Sequence, residues 1–261
     1  MTPTIIKDDV LNLDDKKPPI VVINRALSAK AGIPLYTHKR GQLLYVRKGV
    51  IAIVTPQGRF IAAPNQGIWI PPEQTHEVVA KTDTQLIHFY LAPKQCQSAP
   101  MDCMTLQGDH FFSAIVDEAS IISDTYLWES SDGRLLRLVR DRIHCAARLD
   151  TQLPYPQDER LILITQRLQK HPAIKSDLVA WGKFVKASSR TLSRRFKQET
   201  GMTYSDWRQR LNVQVAIKHI VLGDSINDIA KMLGYESSSA FIYMFKKQVG
   251  ITPNHYLHWD K

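Results

Sequence analysis

The sequence predicts an α+β chain: an N-terminal β-barrel or sandwich with accessory helices, then an all-α C-terminal domain. Three observations predict it. Short apolar runs alternate with turn residues from Gln42 to Leu91, apolar residues then recur three and four apart, and one helix-turn-helix pattern occurs twice in the last third. At 261 residues the chain has room for two cores, since domains typically hold roughly 100–150 residues.

In chain order, Met1–Lys17 is polar, carries Asp8, Asp9, Asp14 and Asp15, and lacks the basic-then-apolar order of a signal peptide. Strand-length runs follow at Leu43–Val46, Val50–Val54, Phe60–Ala62, Ile68–Ile70, Val78–Val79 and Leu86–Tyr90. Lys48-Gly49, Pro56-Gln57-Gly58, Pro64–Gly67 and Pro71-Pro72 break them, the spacing of a sandwich or small barrel. After Pro93, Phe111–Ile122 and Arg134–Ala147 have helical periodicity. Thr151–Pro156 interrupts the pattern, which divides the chain into 1–150, a linker at 151–157, and 158–261.

The first helix-turn-helix copy runs from Leu178 to Phe184, turns through Lys186-Ala187-Ser188, continues over Ser189–Lys197 and ends at Gly201-Met202-Thr203. The second spans Ile226–Leu233, turns at Gly234, continues over Ser238–Lys247 and closes on Gly250-Ile251-Thr252-Pro253. Leu192, Phe196, Gly201 and Thr203 recur as Phe241, Phe245, Gly250 and Thr252 at an offset of 49, whereas Trp181-Gly182 recurs as Ile229-Ala230 at 48. The second turn is therefore one residue longer. The helix between the copies has Thr203 to cap its start and Gly223 to close its end, with Trp207, Leu211, Val215 and Leu222 near one face for burial. A rigid connector of this kind sets the spacing of two reading helices, about 34 Å for successive major-groove segments.

Residues 158–261 hold 17 Lys and Arg against 9 Asp and Glu, so they carry nearly all of the chain's net charge of +9. A basic stretch alone is often a solvated face. Joined to a duplicated helix-turn-helix it points to phosphate, and so to double-stranded DNA. Cys96, Cys103 and Cys145 are odd in number and unpaired in spacing, which gives no disulfide framework and no zinc motif and suits a reducing cytoplasm. No apolar run approaches the roughly 18 residues of a membrane span. No nucleophile–base pair or phosphate-binding glycine loop suggests other chemistry.

These motifs resemble the AraC/XylS family of bacterial transcription regulators over the C-terminal hundred residues, and Gln42–His76 resembles the cupin-type effector domain of many members. The resemblance implies a cupin-like barrel followed by two DNA-reading motifs. It places Arg190, Ser193 and Arg194 at base edges, with Arg195 and Lys197 nearer the backbone, and Ser238, Ser239, Ile242 and Tyr243 at the equivalent positions of the second copy. Arg pairs bidentately with guanine, so the first copy is expected to discriminate more than the second. Two positions depart from the nearest subgroup: Gly182 stands where it has Ala, and Lys186 where it has Gly. The first copy is expected to be less rigid or its turn to differ.

In the barrel, the positions of metal-binding cupin ligands fall on Tyr36, His38, Gln42 and His76. Two imidazoles and an amide make a poor divalent site, so neither metal nor cofactor is expected. His38, Gln42 and His76 are read instead as the polar end of a small-molecule pocket, or His38 as a hydrogen-bonded barrel residue, with Trp69, Tyr45 and Phe89 as apolar wall. The implied partners are promoter DNA, an unidentified small-molecule effector, RNA polymerase if the protein activates, and a second copy, with no membrane. The helices between Phe111 and Ala147 are candidates for the dimer contact or for packing onto the barrel. Control of a neighbouring transporter gene is a further implication. The alternatives are a cupin metalloenzyme fused to a DNA-binding domain, and a regulator whose barrel only dimerises.

Overall fold

The computed structural model describes Leu13 and residues 18–256; the rest of the polar stretch at Met1–Lys17 lies outside the described residues. These residues form two compact units, one of Leu13, 18–56 and Phe60–Gln152, the other of Gln57–Arg59 and 153–256.

In the first unit the strands are β1 (Ile20–Leu27), β2 (Gly32–Tyr36), β3 (Gly41–Lys48), β4 (Ile51–Thr55), β5 (Gly58–Ala62), β6 (Gln66–Ile70), β7 (His76–Ala80), β8 (Thr84–Leu91) and β9 (Met104–Gln107). Helices α1 (His110–Ala119) and α2 (Ser131–Cys145) and strand β10 (Ala147–Leu149) follow; β11 (Leu153–Pro154) falls in the second unit. One sheet runs β1-β8-β3-β6-β9-β10 and the other includes β5-β4-β7-β2. Each apolar run read from the sequence falls on one of β3 to β8, with Val50 just ahead of β4. The reading began at Gln42 and so passed over β1, although Ile20–Ile23 is a continuous β-branched run. Pro34 obscures β2, and it is tolerated because β2 is an edge strand, where a missing N–H costs no central ladder bond.

Strand alternation sorts the core into two layers. Leu44 and Val46 of β3 point between the sheets, where they meet Ile51, Ile53, Phe60, Ile68, Ile70 and Val78. Leu43 and Tyr45 point the other way and, with Trp69 and Phe89, cover the faces of α1 and α2 through Phe112, Val116, Leu136 and Val139. The apolar faces of both helices are thus spent on the sheet. Each fully buried Leu, Ile, Val or Phe contributes on the order of 1.5–3 kcal/mol.

The second unit is helical: α3 (Glu159–Lys170), α4 (Leu178–Val185), α5 (Ser189–Thr200), α6 (Tyr204–Leu222), α7 (Ile226–Met232), α8 (Ser238–Val249) and α9 (Pro253–Tyr256). Asp158, Asp177, Ser188, Thr203, Ser225 and Ser237 each accept a backbone N–H at the start of α3 to α8. The starts of α4 and α7 differ by 48 residues and those of α5 and α8 by 49, so the slip lies in the turn. Leu192, Phe196, Phe241 and Phe245 are buried. On α6, Trp207 and Leu211 are buried, but Leu222 is 54% exposed; Ala216, Ile217 and Ile220 carry the C-terminal packing instead. Leu222 is the residue before Gly223, where the helix has ended and turned away.

The first turn resolves the two sequence departures together. Lys186 is left-handed, at φ 53° and ψ 48°, the conformation that Gly234 takes in the second copy at φ 78°. The chain then folds back so that the Ala187 N–H donates to the Gly182 carbonyl at 2.9 Å. A Cβ on Gly182 would stand 2.4 Å from the Ala187 oxygen. Glycine at 182 is therefore a close-approach requirement.

Candidate nucleic-acid interface and the barrel cluster

Helix α5 owes its exposed face to its cap and its apolar pair. Ser188 fixes the start, and Leu192 and Phe196 set which side is buried. Arg190, Ser193, Arg194 and Lys197, spaced three and four apart, then share the outer side. All four are exposed, and among the described residues no acidic side chain pairs with Arg190 or Arg194. Arg195 is turned along the helix, with Nη1 3.8 Å from Glu199 and Nε 4.0 Å from Asp158. Lys197 donates from Nζ to the Gly201 carbonyl at 2.8 Å, capping its own helix end. Arg195 and Lys197 are thus partly occupied within the protein.

Asp158 anchors this corner. The Arg160 guanidinium, donating to its carboxylate, holds Asp158 down to about 2. The Glu199 carboxylate accepts the N–H groups of Gln157 and Asp158, both at 2.8 Å.

Helix α8 carries a different face. Ser239 is exposed, Ser238 and Ile242 are half-buried, and Tyr243 is 73% exposed. Its cations, Lys246 and Lys247, fall in the last turn. The leading half of α5 therefore presents guanidinium groups, and that of α8 presents hydroxyls and one apolar side chain.

The barrel group is tighter than the sequence suggests. His38 comes from the segment after β2, Gln42 from β3, His76 from β7 and His88 from β8, and all four are buried. One end of the Gln42 amide stands 3.2 Å from His38 Nε2 and 3.1 Å from His76 Nε2. The other end stands 2.8 Å from His88 Nδ1 and 3.3 Å from the Tyr90 hydroxyl. His38 Nδ1 lies 2.6 Å from the Arg40 carbonyl and His76 Nδ1 2.8 Å from the Gln74 carbonyl. A carbonyl only accepts, so both Nδ1 atoms carry protons.

Burial pushes His76 down to about 4, with repulsion from His38 adding to it, so His76 is neutral and its Nε2 is an acceptor. Two facing cations in so dry a site would also be costly. The two ends of an amide are interchangeable in shape, and the protonation pattern chooses between them. We therefore assign the Gln42 NH₂ as the donor to both His38 and His76, and its oxygen as the acceptor facing His88 and Tyr90. Burial also drives His88 down to about 3, and its Nε2 is buried without a partner among the described residues.

The sequence brought His38, Gln42 and His76 together correctly as neighbours but missed His88. The signal was present: His88 sits in phase with Leu86 and pairs with Leu44, so it must point between the sheets. Trp69 requires correction. It is fully buried on the opposite face of β6, packs with Leu43, Phe89 and the helices, and donates its indole N–H to the Pro100 carbonyl at 2.8 Å. Tyr45 and Phe89 lie in the same layer. These aromatics serve helix packing, because the period of two puts odd-numbered β3 residues outside the barrel. Among the described residues no group of three or more His, Cys, Asp or Glu could hold a metal ion. No described helix is long and apolar enough to cross a membrane.

Residues 28–156 match the AraC-like ligand binding domain family, and residues 181–258 match a helix-turn-helix domain family. The HTH-type transcriptional regulator NimR of Escherichia coli is 27% identical over 224 residues, which cover 86% of this chain and 82% of NimR. The HTH-type transcriptional regulator RipA of Corynebacterium diphtheriae is 34% identical over 103 residues, 40% of this chain and 30% of RipA. Among solved structures, ToxT of Vibrio cholerae aligns over 93% of this chain and 98% of its own at 11% identity and a TM-score of 0.39.

Proposed function

This chain belongs to the AraC family of transcription regulators, and from that premise we propose that α5 is its main sequence reader and α8 mainly a positioning helix. The observation that carries this is the contrast between the two faces. Arg190 and Arg194 stand exposed and, among the described residues, without acidic partners, while Ser238, Ser239, Ile242 and Tyr243 offer hydroxyl, phosphate and thymine-methyl contacts. Gel-shift binding to the DNA upstream of the gene and its neighbours, at fixed salt with excess nonspecific competitor, tests it. Arg194→Ala is expected to lower specific affinity about 10- to 100-fold. Equal loss on specific and random DNA would assign Arg194 to the backbone and refute the reading.

The N-terminal unit biases that binding through a small molecule held near His38, Gln42 and His76. An effector acts only as far as it prefers one conformation of the protein. Supporting this are the family match over the barrel and a polar cluster set in an apolar interior. A second reading, a barrel that assembles copies without any effector, is favoured by the tight filling of that interior. A thermal-shift screen of small polar acids against wild type and Gln42→Leu separates the two.

On either reading the protein is not an enzyme, acts on DNA in the cytoplasm, and meets RNA polymerase if it activates. The amide at position 42, where a metal site would want a carboxylate, supports the first point. Control of a neighbouring transporter gene rests on resemblance to family members, and the same upstream fragments test it.

A further inference from the structure

Within the second unit, a cleft of about 390 Å³ opens between α6, the α7–α8 turn and the loop that follows α3. That volume lies in the range of small-molecule sites, roughly 300–1,000 Å³. Ser205, Arg208 and Asn212 line it from one face of α6, Tyr235 and Glu236 from the turn, and Lys175 from the loop.

Two of these side chains hold buried polar atoms without a hydrogen-bond partner among the described residues: Arg208 Nε, a donor, and Asn212 Oδ1, an acceptor. Asn212 is itself only 4% exposed. Its Nδ2 donates to the Tyr235 hydroxyl at 3.1 Å. Burial raises Tyr235 above its ordinary value, so that hydroxyl keeps its proton and has it to give. Lys175 is 3.5 Å from Glu236, with both side chains well exposed, a pair worth little and readily opened. Leaving a buried donor and acceptor unsatisfied is costly, and a ligand that pairs both recovers that cost. The cleft thus offers cationic and hydroxyl donors beside one buried acceptor.

We propose that this cleft is a small-molecule site within the DNA-binding unit, for a compact oxyanion that also carries a hydrogen-bond donor, such as inorganic phosphate or a hydroxy-acid head group. The oxyanion takes Arg208, Tyr235 and Lys175, and the ligand's own O–H takes Asn212 Oδ1. A DNA phosphodiester has no such proton. Tyr235 and Glu236 directly precede Ser237, the cap of α8, so occupancy ties the second reading helix to the linker helix. This regulatory consequence rests on the reading of α5 and α8 above; the binding itself does not.

The test is calorimetric titration of the full chain at pH 7 with inorganic phosphate and, separately, with sulfate, at ionic strength held constant with chloride. Both phosphate species present keep a P–OH, and sulfate has none. Saturable phosphate binding is expected, about fivefold or more tighter than sulfate, as one hydrogen bond would give. It should be lost in Arg208→Gln and kept in Arg194→Ala. Should Arg208→Gln fail to fold by circular dichroism, Lys175→Ala at the exposed rim is expected to weaken phosphate binding about threefold, the loss of one partly screened charge. No saturable heat, equal affinity for the two anions, or binding unchanged in these variants would overturn the proposal. In phosphate-free buffer, Arg208→Gln should bind DNA as wild type does. A uniform loss on all sequences with a salt slope lower by about 1 would make the cleft a backbone contact and also overturn it. Intact DNA binding in Arg194→Ala would refute the recognition-helix reading and leave the phosphate result standing.

Discussion

Gln42→Leu removes at one stroke the partner of His38, His76 and His88. With each stranded group costing about 1–3 kcal/mol, a loss on the order of 3–5 kcal/mol is expected from urea unfolding. A loss below about 1 kcal/mol would mean the amide is not the hub described. The same group sets a pH dependence. Both His76 and His88 are held below 6.5 by burial, so between 6.5 and the folded values of about 4 and about 3 the unfolded chain binds more protons. Their contribution to stability is complete above pH 6.5 and drains away as pH falls toward those values, by at most about 1.4 kcal/mol per pH unit for each histidine. Urea midpoints that stay level from pH 7 to pH 5 would contradict this. At this scale, the likeness to cupin ligand positions singled out His38, Gln42 and His76, and the strands bring the three side chains into contact. Trp69 was misread because its size suggests a pocket wall, while only register tells which side of β6 it occupies.

Among the elements, the two helix-turn-helix copies were readable because caps, apolar spacing and the closing glycine agree in both. The first turn was readable only as an anomaly: the sequence showed that Gly182 and Lys186 both depart from the subgroup they resemble, but not why. The left-handed turn at Lys186 drives the Ala187 carbonyl onto position 182, which admits only glycine. Gly182→Ala is therefore expected to destabilise by about 1–3 kcal/mol, although alanine is the better helix former. Lys186→Gly is expected to stabilise by a few tenths to about 1 kcal/mol, since the relief of a left-handed side chain exceeds glycine's added entropy. Thermal unfolding of the two variants gives opposite shifts if the turn is as described. Two shifts of the same sign would refute it.

For the whole molecule, the positive charge is gathered in residues 158–261, with 17 Lys and Arg against 9 Asp and Glu. Plotting log affinity for DNA against log salt should give a slope of about −4 or steeper, the release of counterions from four or more phosphates. A shallow slope would mean that few of those cations reach the duplex. The unlike faces of α5 and α8 have one more consequence. On the proposed reading of α5 and α8, the chain's two ends read with different chemistry and give it a head and a tail, so on one operator it can lie in only one orientation. The operator is then an arrow, and inverting it in place should leave occupancy unchanged while turning the protein's other flank toward the start of transcription. A promoter that depends on that flank would fall silent with its regulator still bound.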